Sequence, residues 1–196
     1  MNIQLPTVWN TGWIEVICGS MFSGKTEELI RRIKRAQIAK QKVQIFKPLL
    51  DNRYSLDHVT SHSSQKIDAQ NIENPEEILS RLEDYTRIVA IDEAQFLAPS
   101  ILDISHRLAN RGLRVIVAGL DMDYRGVPFG PMPQLMAVAE FVTKMSAICT
   151  VCGNPASRTQ RIIQSDTDTE TSQKQIVVGA GELYEARCRR CFDPKI

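Results

Sequence analysis

The stretch from Ile17 to Arg32, ICGSMFSGKTEELIRR, constrains this chain more than any other. Gly19 and Gly24 enclose four residues and are followed at once by Lys25 and Thr26, which satisfies G-x-x-x-x-G-K-[ST]. That pattern carries meaning only where a strand enters it and a helix leaves it. Here Trp13 to Cys18 reads as a buried strand, and Lys25 to Ala39 reads as a helix opening directly after the loop. Glycines let the backbone N–H groups curl inward, and the helix N-terminus adds partial positive charge, so the product is an anion cradle. Lys25 is placed to reach β- and γ-phosphates, and the Thr26 hydroxyl to ligate Mg²⁺. An ordinary strand-to-helix turn accounts for the glycines but not for the Lys-Thr pair. A nucleoside triphosphate is therefore the expected ligand.

The rest of the chain is patterned to support such a loop. Apolar, β-rich runs at Ile14–Cys18, Val43–Lys47, Ile88–Ile91 and Val115–Gly119 lack strict alternation, which suits strands covered on both faces. Helical stretches near Lys25–Ala39, Pro75–Leu82 and Ser100–Arg111 separate them. Strands alternating with helices predict an α/β fold, a parallel sheet flanked by helices. The 196 residues, 43% of them hydrophobic, suffice for one main domain with an appendage.

Charge is nearly balanced, with 24 Lys+Arg against 23 Asp+Glu, so nothing global points to nucleic acid or an anionic membrane. The eight basic residues between Lys25 and Lys47 face only Glu27 and Glu28. Glu27 with Arg31 and Glu28 with Arg32 stand at i,i+4, and the segment reads as a solvated helix face. No basic n-region with an apolar core opens the chain, and no run reaches the ~20 apolar residues of a membrane span. A cytoplasmic protein is the default. The polar, aperiodic stretch Asp51–Gln70 reads as a loop, with His58 and His62 as exposed loop histidines. His106 reads as a surface or half-buried helix residue.

Two further groups carry chemistry. The strand Ile88–Ile91 runs into Asp92-Glu93, with Gln95 and Phe96 following. A carboxylate at the carboxyl end of a strand is the second half of a phosphate-loop site, where Asp92 would orient the ligands of Mg²⁺. Strand alternation points Glu93 away from Asp92, which leaves it to accept a hydrogen bond from an attacking hydroxyl. Cys149-x-x-Cys152 and Cys188-x-x-Cys191 form two pairs, each able to aim two thiolates at one tetrahedral Zn²⁺. Their separation exceeds that of compact zinc motifs, so a loop leaves and returns between them. Disulfides and a redox C-x-x-C are the alternatives. A reducing cytoplasm opposes the first, and the lack of a thioredoxin-like pattern opposes the second. Cys18 reads as a small buried hydrophobe.

GSMFSGKT, DEAQF, GLDMDYRGVPFG and the split cysteine quartet, in that order from Gly12 to Phe192, closely resemble the type II thymidine kinases. The resemblance implies a P-loop kinase domain over residues 1–148 and a zinc-binding lasso domain over 149–196 that covers the nucleoside. It implies ATP-dependent phosphorylation of the thymidine 5′-hydroxyl, in salvage of DNA precursors. By resemblance the ATP site comprises Gly19, Ser20, Met21, Phe22, Ser23, Gly24, Lys25 and Thr26, then Asp51, Asn52 and Arg53, and Asp92 with Gln95. Glu93 is implied as the catalytic carboxylate. Phe96, Leu120, Tyr124 and Phe129 would wall the thymine pocket. Ile176, Val177, Val178, Gly179 and Ala180 would close over the base through their backbone, with Tyr184 beside the sugar. The resemblance also implies Mg²⁺ with ATP, structural Zn²⁺ on Cys149, Cys152, Cys188 and Cys191, feedback inhibition by thymidine triphosphate and a homotetramer. It implies neither a nucleic-acid nor a membrane partner.

Ser20 stands where many members carry Pro, a change expected to matter little because only the backbone is used there. Leu97 replaces a second aromatic after Phe96, and Tyr124 replaces Phe. The zinc ligands are expected to act on the thymidine pocket and much less on ATP. The rival reading from the residues alone is a nucleic-acid-dependent ATPase, since a phosphate loop with DEAQ and a zinc ribbon occurs there too. The short chain, balanced charge and lack of a second motor domain oppose it. A third is a nucleotide-binding regulatory module, in which Glu93 would be incidental.

Overall fold

The computed structural model describes residues 11–49, 58–60, 66–162 and 183–194. In chain order the first elements are β1 (Trp13–Gly19), α1 (Lys25–Ile38), β2 (Lys42–Pro48), β3 (His58–Thr60), β4 (Lys66–Asp68) and β5 (Gln70–Ile72). Next come α2 (Glu77–Ser80), β6 (Thr86–Ile91), α3 (Ile101–Asn110), β7 (Arg114–Gly119), α4 (Met132–Val138) and β8 (Phe141–Met145). The last are β9 (Ala147–Ile148), β10 (Pro155–Ala156), β11 (Arg158–Arg161) and β12 (Tyr184–Arg187).

Six strands form one sheet in the order β5-β2-β6-β7-β1-β8, and every neighbouring pair is parallel. The central strands are Val-, Ile- and Ala-rich because both faces are covered. On one face α1 buries Leu29, Ile30 and Ile33 against Ile17, Ile45 and Ile116. On the other, Ile78 of α2, Ile101, Ile104 and Leu108 of α3 and Leu135 of α4 cover Val16, Phe46, Val89 and Val117. Each such fully buried aliphatic side chain contributes about 1.5–3 kcal/mol. The α/β sandwich expected from the sequence is thereby present.

Two parts differ from expectation. The stretch Asp51–Gln70, read as a loop, contains the antiparallel pair β3–β4 and the first residue of β5. Its short strands are polar and left no apolar period to detect. His62 lies outside the described residues, and His106 is exposed on α3 as anticipated. The strand β8 has no buried apolar run, because it lies at an edge of the sheet with Phe141 and Val142 exposed. Beyond β8 a second, small core gathers Ala147, Cys149, Ala156, Ala186 and Cys188 between the pairs β9–β10 and β11–β12. No helix among the described residues is long and apolar enough to cross a membrane.

Candidate active site

All the candidate groups of the main sheet lie at the carboxyl ends of its parallel strands, where an open α/β sheet presents ligands. β1 ends at Gly19, whose absent Cβ would stand 2.4 Å from the Met145 carbonyl oxygen, so the loop leaves the sheet hard against the end of β8. Gly24, at φ 82°, then turns the chain into α1, a left-handed geometry that favours glycine. Inside this curl the Ser20 carbonyl accepts from Lys25 Nζ and from Ser23 Oγ, each at 2.7 Å. Enclosure pushes the Lys25 pKa down, while the charges of Glu93, Asp92 and Asp121 resist the shift. Thr26 Oγ1 stands 3.5 Å from Asp92 Oδ2, close enough for both to face one hard cation.

Asp92 is buried just beyond β6, and its N–H donates to the Phe46 carbonyl of β2. Burial first, and the neighbouring Glu93 charge second, push its carboxyl up to about 7. Such a group ionises readily at neutral pH only beside positive charge. Strand alternation does not extend to Glu93, because the backbone there turns left-handed at φ 53°. Non-glycine residues adopt this region at a cost that active sites often carry. The Glu93 carboxylate accepts from Gln95 Nε2 at 2.5 Å, and Gln95 Oε1 accepts from the Leu120 N–H at 2.9 Å. One buried amide thus ties the carboxylate after β6 to the backbone after β7.

Beside them stands an apolar wall. Phe96 and Phe129 meet edge to face, with ring centroids 5.5 Å apart. The segment from Asp121 to Gly130 is held by buried Asp123, whose Oδ1 accepts from the N–H groups of Arg125 at 2.9 Å and Val127 at 3.1 Å. Two guanidinium groups lie over the Tyr124 ring, with Cζ of Arg125 at 5.7 Å and of Arg161 at 5.5 Å from its centroid.

The four cysteines of the small module converge. The sulfurs of Cys149, Cys152, Cys188 and Cys191 all lie within 4.8 Å of one another, and none forms a disulfide. Cys152 and Cys188 are 3.6 Å apart, close to the edge of about 3.8 Å of a tetrahedron with ~2.3 Å zinc–sulfur bonds. Burial opposes ionisation of Cys149, but backbone N–H groups of Cys188, Val151 and Cys152 pull its thiol down to about 6. Hydrogen bonding to Cys152 and Cys188 pushes Cys191 up to about 12. Four thiolates this close repel one another unless a dication sits among them, so the donor set fits structural Zn²⁺.

A protein-family model described as thymidine kinase matches residues 12–192. The chain belongs to the thymidine kinase family. As an ATP:thymidine 5′-phosphotransferase it brings together, at one end of the sheet, Gly19–Thr26, Asp92, Glu93 and Gln95, with Phe96, Leu120, Tyr124 and Phe129 alongside. Buried Tyr184 opens β12 and pairs with Arg161 of β11. Asp51, Asn52, Arg53 and Ile176–Ala180 lie outside the described residues.

Several readings of this thymidine kinase change at the level of contacts. The Ser20 side chain is not idle: buried, it donates to the Ala156 carbonyl at 3.2 Å. Gln95, grouped with ATP by resemblance, has both ends of its amide engaged by Glu93 and Leu120. Arg32 is no solvated helix charge; it reaches Glu15 on β1, Glu28 and Thr143 on β8. Arg31 pairs with Glu28 rather than Glu27. Leu97 belongs to the main core; Cys18 is buried there as expected, its thiol pushed up to about 11 chiefly by burial.

Residues the sequence did not single out are Asp121, Asp123, Thr159, Arg161 and Phe192. Asp123 was visible in GLDMDYRGVPFG as a short acid before a turn, a local hydrogen-bonding signal. Thr159, Arg161 and Phe192 offered none. Thr159 Oγ1 accepts from Met21 N–H at 3.0 Å, Arg158 reaches Met122, and the Phe192 ring lies against Gly126. The small module therefore touches the phosphate loop as well as the segment from Asp121 to Gly130.

Proposed function

We propose that Glu93 accepts the proton of the thymidine 5′-hydroxyl as that oxygen attacks the γ-phosphorus of ATP. The new O–P bond forms while the bond to the β,γ-bridging oxygen breaks, and ADP leaves. Lys25 lies against the transferring phosphoryl, and the loop from Gly19 to Thr26 cradles the β-phosphate by its N–H groups. Thr26 and Asp92 would hold Mg²⁺, which when bound neutralises phosphate charge. Gln95 orients Glu93 rather than contacting ATP. Asp51, Asn52 and Arg53 complete the phosphate side, as the family resemblance implies. Most of the catalysis in such a site is alignment and electrostatics.

Thymine stacks among Phe96, Leu120, Tyr124 and Phe129, and the segment Ile176–Ala180 covers it, with Tyr184 at the sugar. The chain divides into a kinase domain, 1–148, and a zinc lasso domain, 149–196, a reading supported by the separate small core around the cysteines. Thymidine triphosphate carries thymine and phosphates in one molecule and inhibits by spanning base wall and phosphate loop. The homotetramer and the cytoplasmic setting rest on the family resemblance.

The observation that carries this mechanism is the convergence of Lys25, Thr26, Asp92 and Glu93 beside an aromatic wall, with a buried amide fixing the Glu93 carboxylate. Turnover of ATP with each of the four deoxynucleosides, and with single-stranded DNA, tests it. Thymidine should support ADP formation and DNA should not; stimulation by DNA alone would restore the ATPase reading.

A further inference from the structure

Among the described residues, two hydrogen bonds join the small module to the phosphate loop, and they fall on consecutive residues. Ser20 Oγ donates to the Ala156 carbonyl, and the Met21 N–H donates to Thr159 Oγ1. The Met21 N–H and the Ser20 carbonyl belong to one peptide group, which is planar, so an anchor on the N–H also sets the direction of the carbonyl. That carbonyl is the acceptor for both Lys25 Nζ and Ser23 Oγ. Hydrogen bonds in series through one peptide also strengthen one another.

The other end of this chain of contacts is the cysteine cluster. Thr159 is buried on β11 and stands opposite Ala186 of β12, the strand that leads directly into Cys188. Ala156 is buried on β10 opposite Ala147 of β9, just before Cys149. Ligation of the cysteines therefore fixes the two strands that carry the phosphate-loop anchors. We propose that Thr159, seconded by Ser20, is a positioning residue that aims Lys25 through the Ser20–Met21 peptide, so that zinc occupancy and nucleotide binding are thermodynamically linked. The inference rests on the nucleotide site assigned above and adds a route by which the metal reaches it.

The test measures binding rather than turnover, on the zinc-loaded full chain. Thr159→Val keeps the side chain's shape and removes the acceptor; Thr159→Ser keeps the acceptor. By calorimetry, Thr159→Val should raise the Kd for Mg-ADP about tenfold, the order expected for stranding one half-buried donor. Thr159→Ser should stay within twofold of wild type, and Ser20→Ala should raise the Kd about threefold. Because linkage is reciprocal, saturating Mg-ADP should tighten wild-type zinc binding, read by competition with a chromogenic chelator. That tightening should disappear in Thr159→Val. If Thr159→Val destabilises the module, Ser20→Ala and the wild-type competition still decide the matter.

Mg-ADP binding by Thr159→Val within twofold of wild type would overturn the proposal. So would a wild-type zinc affinity indifferent to Mg-ADP. Wild-type protein that bound no Mg-ADP would instead bring down the nucleotide site itself, and this inference with it.

Discussion

Replacing Glu93 by Gln keeps the side chain's outline and its hydrogen bond to Gln95 but removes the proton acceptor. The expected result is a fall in kcat of ~10²–10⁴-fold with Mg-ATP binding nearly intact; turnover within threefold of wild type would remove the assigned role. Gln95→Met tests the orienting amide. It should lower kcat while leaving the KM for ATP within about twofold, since an amide engaged by Glu93 and the Leu120 N–H rather than by nucleotide does not alter ground-state nucleotide binding. A rise in the ATP KM with kcat preserved would return Gln95 to the nucleotide. Lys25→Ala should damage both parameters, because the ammonium meets phosphate before and during transfer; unchanged ATP affinity and rate would refute the cradle.

The elements are fastened at the far end of the sheet by Glu15. From β1 its carboxylate accepts from Arg114 of β7 at 2.6 and 3.0 Å, from Arg32 of α1 at 2.7 Å and from the Trp13 indole at 2.6 Å. Arg32 continues to Thr143 of β8, so four elements share one network. Burial on its own raises the Glu15 pKa, but Arg114, Trp13 and Arg32 together bring it below its ordinary value of 4.5. A carboxylate depressed in the folded state contributes stability that is full above the unfolded pKa and is lost as pH falls through the folded one. Glu15→Gln should therefore cost about 2 kcal/mol near neutral pH. That is less than the ~3–5 kcal/mol of a fully buried broken pair, because Arg114 keeps 25% of its side chain exposed. The difference in denaturant midpoint between the two proteins should narrow as pH drops below 4.5. A gap that stayed constant from pH 7 to 3 would show that packing, not charge, is responsible.

For the whole molecule the question is what the cysteine-bearing module does for the groups at the carboxyl ends of the main sheet. It touches the segment from Asp121 to Gly130 through Arg158, Arg161 and Phe192 and the phosphate loop through Ala156 and Thr159. Cys188→Ser should therefore raise the thymidine KM, as the resemblance to the family's lasso implies, and should weaken nucleotide binding as well, where that resemblance implied little effect on ATP. Metal analysis of the wild type should find about one zinc per chain, the usual load of a four-cysteine site. Fully active wild-type protein without zinc would remove the module's structural role.

What the sequence determined by itself is whatever repeats or is spaced locally. The strands β1, β2, β6 and β7 announce themselves as apolar runs because both their faces are buried, and the phosphate loop because its glycines, Lys25 and Thr26 must be contiguous to surround an anion. The cysteine pairs are legible because each pair makes its own turn. The tertiary structure alone decided the rest. β8 is an exposed edge strand with no buried period, and β3 and β4 are too short and polar to show one. The solvated-looking Arg32 becomes a partner of Glu15 only once α1 lies on the sheet. Ser20 meets Ala156 across 136 positions of sequence, and Met21 meets Thr159 across 138. A single hydrogen bond over such a distance leaves no pattern along the chain, because neither partner needs a particular neighbour to make it.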